Sequence, residues 1–247
     1  MNAVAPGTLY GVGLGPGDPE LMTLKAARII ASASVIAHFR KAGRPGHART
    51  IAADIIPKSA IEACLEYPVT TEINFHDAGY IDAIRDFYST SADRLKRHLD
   101  DGHNVALLCE GDPFFYGSFL HMYDRIKATH PVAVIPGITG MSGCWTAADT
   151  PITYGDDVLT VLPGTLDAAS LTARLKDTDA AVIMKVGRNL EKIRRALRDA
   201  GRLNDAIYVE RGTMHGERVL PLSSLDAQPV PYFSIILLPG GRGRRIT

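Results

Sequence analysis

Short, almost uninterrupted apolar runs alternate along this chain with segments whose apolar residues recur every three to four positions. The runs are TLYGVGL (8–14), SVIAHF (34–39), NVALLC (104–109), PVAVIP (131–136), DVLTVLP (157–163), AAVIMKV (180–186), AIYVER (206–211) and YFSIILLP (232–239). Their length suits strands, and their continuity predicts burial on both faces. The intervening segments read as amphipathic helices. In NLEKIRRALRDAG, Leu190, Ile193, Leu197 and Ala200 share a face, and Gly201 stands where a left-handed cap belongs. A stripe from Tyr80 to Leu99 predicts a long helix stopped at Asp100-Asp101-Gly102. PELMTLKAARIIASA predicts another, with Pro19 in its first turn and Asp18 as its cap. The alternation is that of an α/β protein. A second strand-to-helix series starts after Tyr116-Gly117-Ser118, so two domains are expected, 1–115 and 116–247, with no long linker.

Composition narrows the function classes. The chain has 247 residues, 46% of them hydrophobic, with Lys+Arg and Asp+Glu balanced at 27 each. No global field draws it to nucleic acid or to a membrane surface, so neither partner is expected and charge recognition must be local. Its three cysteines are scattered, which fits a reduced compartment. No apolar run is long enough to span a bilayer, and the first residues carry no signal-peptide pattern, so a soluble cytoplasmic protein is expected.

The chemistry concentrates where strands end. GVGLGPG invites a dinucleotide reading, but the third glycine position of that fingerprint holds Pro16. The next strand ends Ala37-His38-Phe39-Arg40, with no carboxylate for a ribose. Gly-Asp-Pro occurs twice, at 17–19 and 111–113. Each copy makes a good helix start, with aspartate as cap and proline in the first turn, and by itself needs no ligand. The second copy has more around it. Glu110, Gly111 and Asp112 close a buried strand and run into the aromatic cluster Phe114-Phe115-Tyr116. VIPGITGMSG, IMKVGR and VERGTM then end three further strands in glycine or small polar residues, among them Gly137, Thr139, Gly140, Gly187, Gly212 and Thr213. Four such ends in series predict a ligand crevice beyond the sheet edge. His76, His98, His103, His121, His130 and His215 show no ligand spacing, so no metal site is expected.

These segments, taken in order, resemble the tetrapyrrole methylases, the S-adenosylmethionine-dependent family of the corrin and sirohaem pathways. The likeness runs from Thr8 to Gly241 through GVGLGPGDPELMTLKA, EGDPFFYGS, VIPGITGMSG, IMKVGR, ERGT and YFSIILLPG. It implies two α/β domains with mixed sheets, a trough between them for cofactor and substrate, and a homodimer. Carried over by position, the cofactor contacts are Pro16, Glu110, Gly111, Asp112, Phe115, Thr139, Gly140, Met184 and Gly212. CEGDPFFYGSF, PGITGMSGC, LPGTL, MKVGRNL and YVERGTM resemble the branch that methylates precorrin-2 at C20. A branch acting on the cobalt-loaded ring, another methylase of the family, and a non-catalytic tetrapyrrole- or nucleotide-binding module stay open.

The implied substrate is a small molecule, a reduced tetrapyrrole rich in carboxylates. The loop HFRKAGRPGHAR offers Arg40, Lys41, Arg44 and Arg49 to receive them, or else is a solvated basic loop. Carbon methylation also needs a group to take the departing proton. A sibling's aspartate base aligns with Phe39 here, which leaves the neighbouring His38 as candidate base. The tail arginines Arg242, Arg244 and Arg245 read as a solvated end.

Overall fold

The structure is a computed structural model and describes residues 5–68, 78–226 and 230–241. The tail arginines and His76 lie outside the described residues. The chain forms two compact units, 1–139 and 140–247.

The first unit is built on five strands, β1 (Leu9–Gly13), β2 (Val35–Lys41), β3 (Ile61–Tyr67), β4 (Val105–Cys109) and β5 (Val132–Ile135). They lie in the order β3-β2-β4-β1-β5, and every pairing is parallel. Period-2 alternation divides the strands between two cores, as continuous hydrophobicity requires. Val105, Leu107 and Cys109 face α3 (Ala78–Asp100) and α4 (Phe119–Ile126). Ala106 and Leu108 face α1 (Leu24–Ser32) and α2 (His47–Ile51). Gly11 serves this packing: a Cβ there would sit 2.4 Å from the ring of Phe119.

The second unit carries β6 (Leu159–Pro163), β7 (Ala180–Met184), β8 (Ile207–Glu210), β9 (Arg218–Pro221) and β10 (Ser234–Leu238). Their order is β6-β7-β10-β8-β9. Only β6 and β7 run parallel, so the mixed character belongs to this sheet. Helices α6 (Ala168–Lys176) and α7 (Leu190–Asp199) cover one face. Helix α5 (Gly140–Ala147) covers the other. Gly201 adopts φ +70° after α7, as its cap position demands.

Three sequence expectations change. Two strands emerge, β3 and β9, that the apolar runs did not mark. Both are sheet edges: β3 alternates Glu62 and Glu66 with buried residues, and β9 is only four residues long, between Arg218 and Pro221, which dilutes the apolar signal. The helix expected from Pro19 is a single 3-10 turn over Pro19–Leu21, capped by Asp18. The chain is extended at Met22, and α1 starts afresh from Thr23, whose Oγ1 accepts the Ala26 amide at 3.1 Å. The units divide after Thr139 rather than near residues 113–118, because α4 and β5 complete the first sheet and its core.

Candidate active site

In the first unit, β1, β4 and β5 deliver their carboxyl ends to one place. Gly15 and Gly111 form an isolated bridge, with the Gly111 amide donating to Gly15 O at 2.8 Å. Both have positive φ, +84° and +66°. Gly137, after β5, packs so closely on them that an added Cβ would lie 2.1 Å from Gly111 O. Asp112 ties the loops together: its Oδ1 accepts the Phe114 amide at 2.9 Å and its Oδ2 the Gly137 amide at 3.0 Å. The aspartate that reads as a local cap therefore braces two strand ends. Around this knot, Pro16, Phe115 and Thr139 are half-buried. Phe115 stacks edge-on against Tyr116 at 4.8 Å, and Tyr116 sits in the left-handed region at φ +55°.

Glu110 has a further task. Helix α2 starts at Gly46, which offers no side-chain cap, and Glu110 Oε1 accepts the Ala48 amide at 3.0 Å. A residue 62 positions away supplies what a local Ser or Asp would have supplied. The basic loop before α2 is thus anchored to the Gly-Asp-Pro loop.

The four cations expected on one loop divide: Arg40 and Lys41 close β2, Arg49 lies in α2, and Arg44 sits on the turn between them. Arg40 pairs with Glu66 at 2.8 Å, and Arg49 makes two bonds to Glu62, at 2.8 and 3.2 Å. Both glutamates belong to β3. The Arg49 guanidinium holds the Glu62 carboxyl below its usual range. Arg44 is exposed on the turn that its amide closes onto Lys41 O, and no carboxylate among the described residues pairs with its side chain. His38 is 4% exposed. Its Nε2 lies 3.8 Å from Glu62, and Nδ1 has no hydrogen-bond partner of good geometry. Gly46 is packed against it so that a Cβ there would fall 2.8 Å from Nδ1. Burial lowers the imidazole pKa, outweighing the nearby Phe39 backbone and Glu62, which raise it.

In the second unit, Gly140, Met184 and Gly212 gather on the α5 face of the sheet. Met184 packs against the cluster holding Cys144, Val182 and Val209. A Cβ on Gly212 would meet Cys144 Sγ at 2.9 Å, so Gly212 admits α5 to the sheet. A Cβ on Gly140 would meet nothing within 4 Å. Burial drives the Cys144 thiol up to about 12 and raises that of Cys109 as well, which keeps both protonated and unreactive. The loops after β7 and β8 hold Lys185, Arg211 and Thr213 at φ +56°, +49° and +66°. A β-branched residue in that region is a genuine outlier, and such outliers concentrate at functional sites. Thr213 Oγ1 is buried without a partner among the described residues. No sequence signal marks Lys185 or Arg211, since neither is a residue type that favours positive φ.

Residues 8–226 match the model of the family Tetrapyrrole (Corrin/Porphyrin) Methylases. The chain is 52% identical to a precorrin-2 C(20)-methyltransferase of Sinorhizobium sp., over 99% of this chain and 100% of that one. It is 28% identical to the cobalt-precorrin-2 C(20)-methyltransferase of Salmonella typhimurium, over 94% and 96%. Among solved structures, uroporphyrin-III C-methyl transferase from Thermus thermophilus, complexed with S-adenyl homocysteine, matches with a TM-score of 0.63 at 24% identity. That match covers 94% of this chain and 97% of the other, and it speaks to the fold alone. A family match over most of the length, together with a relative alike from end to end, makes this chain a member of the tetrapyrrole methylase family.

Proposed function

We propose that this chain transfers the methyl group of S-adenosylmethionine to C20 of metal-free precorrin-2, as an enzyme of cobalamin biosynthesis. The observation that carries the reading is the contrast in identity: 52% to the relative named for precorrin-2, against 28% to the one named for the cobalt-loaded ring. A cytoplasmic homodimer is part of the same reading. No helix among the described residues is long and apolar enough to cross a membrane.

The residues present fit the cofactor. Thr213 Oγ1 is an orphaned buried hydroxyl, of the kind a bound polar group satisfies. Gly140 is a glycine that packing does not require, which suits close approach of a ligand to the backbone. In the first unit Pro16, Glu110, Gly111, Asp112, Phe115 and Thr139 would hold it; in the second, Gly140, Met184 and Gly212. When bound, the cofactor supplies a methyl group on a sulfonium sulfur, activated for in-line attack by carbon. The chain's own contribution is placement. Asp112 fixes the β4 and β5 ends against each other, so the amides around Gly111 and Gly137 are set before any ligand arrives. Phe115 and Met184 offer apolar surface that displaces water from the reacting carbon. Arg44 stands for the substrate's carboxylates, while Arg40 and Arg49 tie β2 and α2 to the glutamates of β3. For His38, a lowered pKa keeps the ring neutral and able to accept a proton, but only if the segment at Gly46 opens to admit substrate. Full turnover by His38→Ala would remove it as base.

The test is mass spectrometry of metal-free and cobalt-loaded precorrin-2 after incubation with the protein and methyl-labelled cofactor. One label on the metal-free ring is expected, at C20. Labelling of the cobalt-loaded ring alone, or of neither, would overturn the proposal.

A further inference from the structure

Helix α2 starts without a cap of its own, and the reason lies beneath it. Its N-cap position holds Gly46 at φ −75°, a conformation open to any residue, so backbone freedom does not explain the glycine. Space does. A Cβ at Gly46 would fall 2.8 Å from His38 Nδ1 and 2.9 Å from Phe39 O. His38 is buried in turn, with little room to move aside. The side chains that cap helices best, those of Ser, Thr, Asp and Asn, all carry that Cβ. Covering His38 therefore removes the local cap, and the Ala48 amide donates to Glu110 Oε1 instead, at 3.0 Å.

This remote cap carries more than it would in a long helix. Five residues do not sustain a helix alone. Ala48 and Ile51 pack α2 into the core, and Arg49 ties it to Glu62 of β3. The bond to Glu110 ties down the first turn, next to residues 42–46. That segment carries Arg44, exposed beside Gly43 at φ +69°. Gly43 stands in open space, since a Cβ there would meet nothing within 4 Å. The Arg44 turn therefore takes its position from its ends: β2 on one side, the start of α2 on the other. Glu110 directly follows β4 and precedes Gly111-Asp112, so one residue links the Gly-Asp-Pro loop to an end of the Arg44 turn.

We propose that Glu110 is a positioning residue for the tetrapyrrole: through the Ala48 amide it holds α2, and with it the Arg44 turn, at a fixed place relative to the Gly111-Asp112 loop, where Arg44 receives a carboxylate of the ring. The assignment rests on the methylase reading. It gives the Glu110 side chain to the substrate loop and leaves cofactor contact to the Glu110 main chain.

Glu110→Ala removes the acceptor, and losing a helix cap shifts the balance of capped over uncapped states by about fivefold. The expected result is a rise of about three- to fivefold in KM for metal-free precorrin-2, with kcat within about twofold. Binding of the tetrapyrrole alone, followed by its absorbance, should weaken equally, while calorimetric affinity for S-adenosylhomocysteine stays within about twofold. General loosening of the unit would not separate the two ligands in this way. Glu110→Gln keeps an acceptor oxygen and should recover most of the loss in KM. In an Arg44→Ala background, Glu110→Ala should add less than about twofold, because both changes act through one turn. An unchanged tetrapyrrole KM in Glu110→Ala, an equal loss of S-adenosylhomocysteine affinity, no recovery in Glu110→Gln, or independent effects of Glu110 and Arg44 would each overturn the assignment. Wild-type turnover establishes the methylase reading separately, and its absence sinks both.

Discussion

Replacing Gly137 by alanine puts one methyl group into one of the tightest backbone contacts of the first unit. Its Cβ would lie 2.1 Å from Gly111 O and 2.9 Å from both Gly13 Cα and Gly13 C. Every obstructing atom is backbone, so no side chain can rotate away, and relief requires a loop shift of about 1 Å against ordinary contact distances. Such overpacking costs about 1–3 kcal/mol. The shift also pulls the Gly137 amide from Asp112 Oδ2, a 3.0 Å bond to a carboxylate worth about 1.5–3 kcal/mol. The sum is roughly 2.5–6 kcal/mol. At about 2–4 °C per kcal/mol for a chain of this size, the thermal midpoint of the first unit should fall by about 10 °C. Circular dichroism melts read this directly, with Gly140→Ala as control, because its added Cβ meets nothing within 4 Å. A Gly137→Ala midpoint within about 2 °C of wild type would refute the idea that the strand ends are locked by backbone packing.

Gly140→Ala should leave the melting point unchanged or slightly higher, since alanine restricts the unfolded chain, yet reduce S-adenosylhomocysteine affinity at least about tenfold by calorimetry; wild-type affinity would move Gly140 out of the cofactor contacts. Asp112→Ala, which loses both amide bonds, should destabilise by about 2–4 kcal/mol in urea titrations, and Asp112→Asn by less, because it keeps one acceptor. Glu110→Ala should speed hydrogen exchange at the Ala48 amide with little change at Leu107, in the strand interior. Because burial depresses the His38 pKa below its ordinary 6.5, its neutral form stabilises the fold above about pH 6.5. That contribution is lost as pH falls through the lowered folded-state value. His38→Asn should flatten the acid limb of the stability–pH curve, and an identical limb would show that His38 does not shape it.

The buried strands and their glycine-rich ends were legible because each is a local pattern: an apolar run, then residues that permit sharp turns. Strand β4 reads plainly in NVALLC, since both of its faces are covered. Strand β3 did not, because it lies at the edge and alternates Glu62 and Glu66 with buried residues. Missing β3 hid Glu66 and Glu62, the partners of Arg40 and Arg49, so all four cations looked equivalent. The second roles of Glu110 and Asp112 depend on contacts to residues 62 and 25 positions away, which no periodicity encodes. The left-handed backbone at Lys185 and Arg211 is imposed by the fold against residue preference, and it leaves no trace in composition.

The order β3-β2-β4-β1-β5 has a consequence for synthesis. Among the described residues, the opening strand, Leu9–Gly13, pairs only with segments beginning at Val105 and Val132. On a ribosome adding about 5–20 residues per second, it emerges and waits on the order of 5–20 s for its first neighbour. An unpaired, mostly apolar ribbon is open for that interval to other nascent chains, so yield in a cell should depend on chaperone supply more than the finished protein's robustness would suggest.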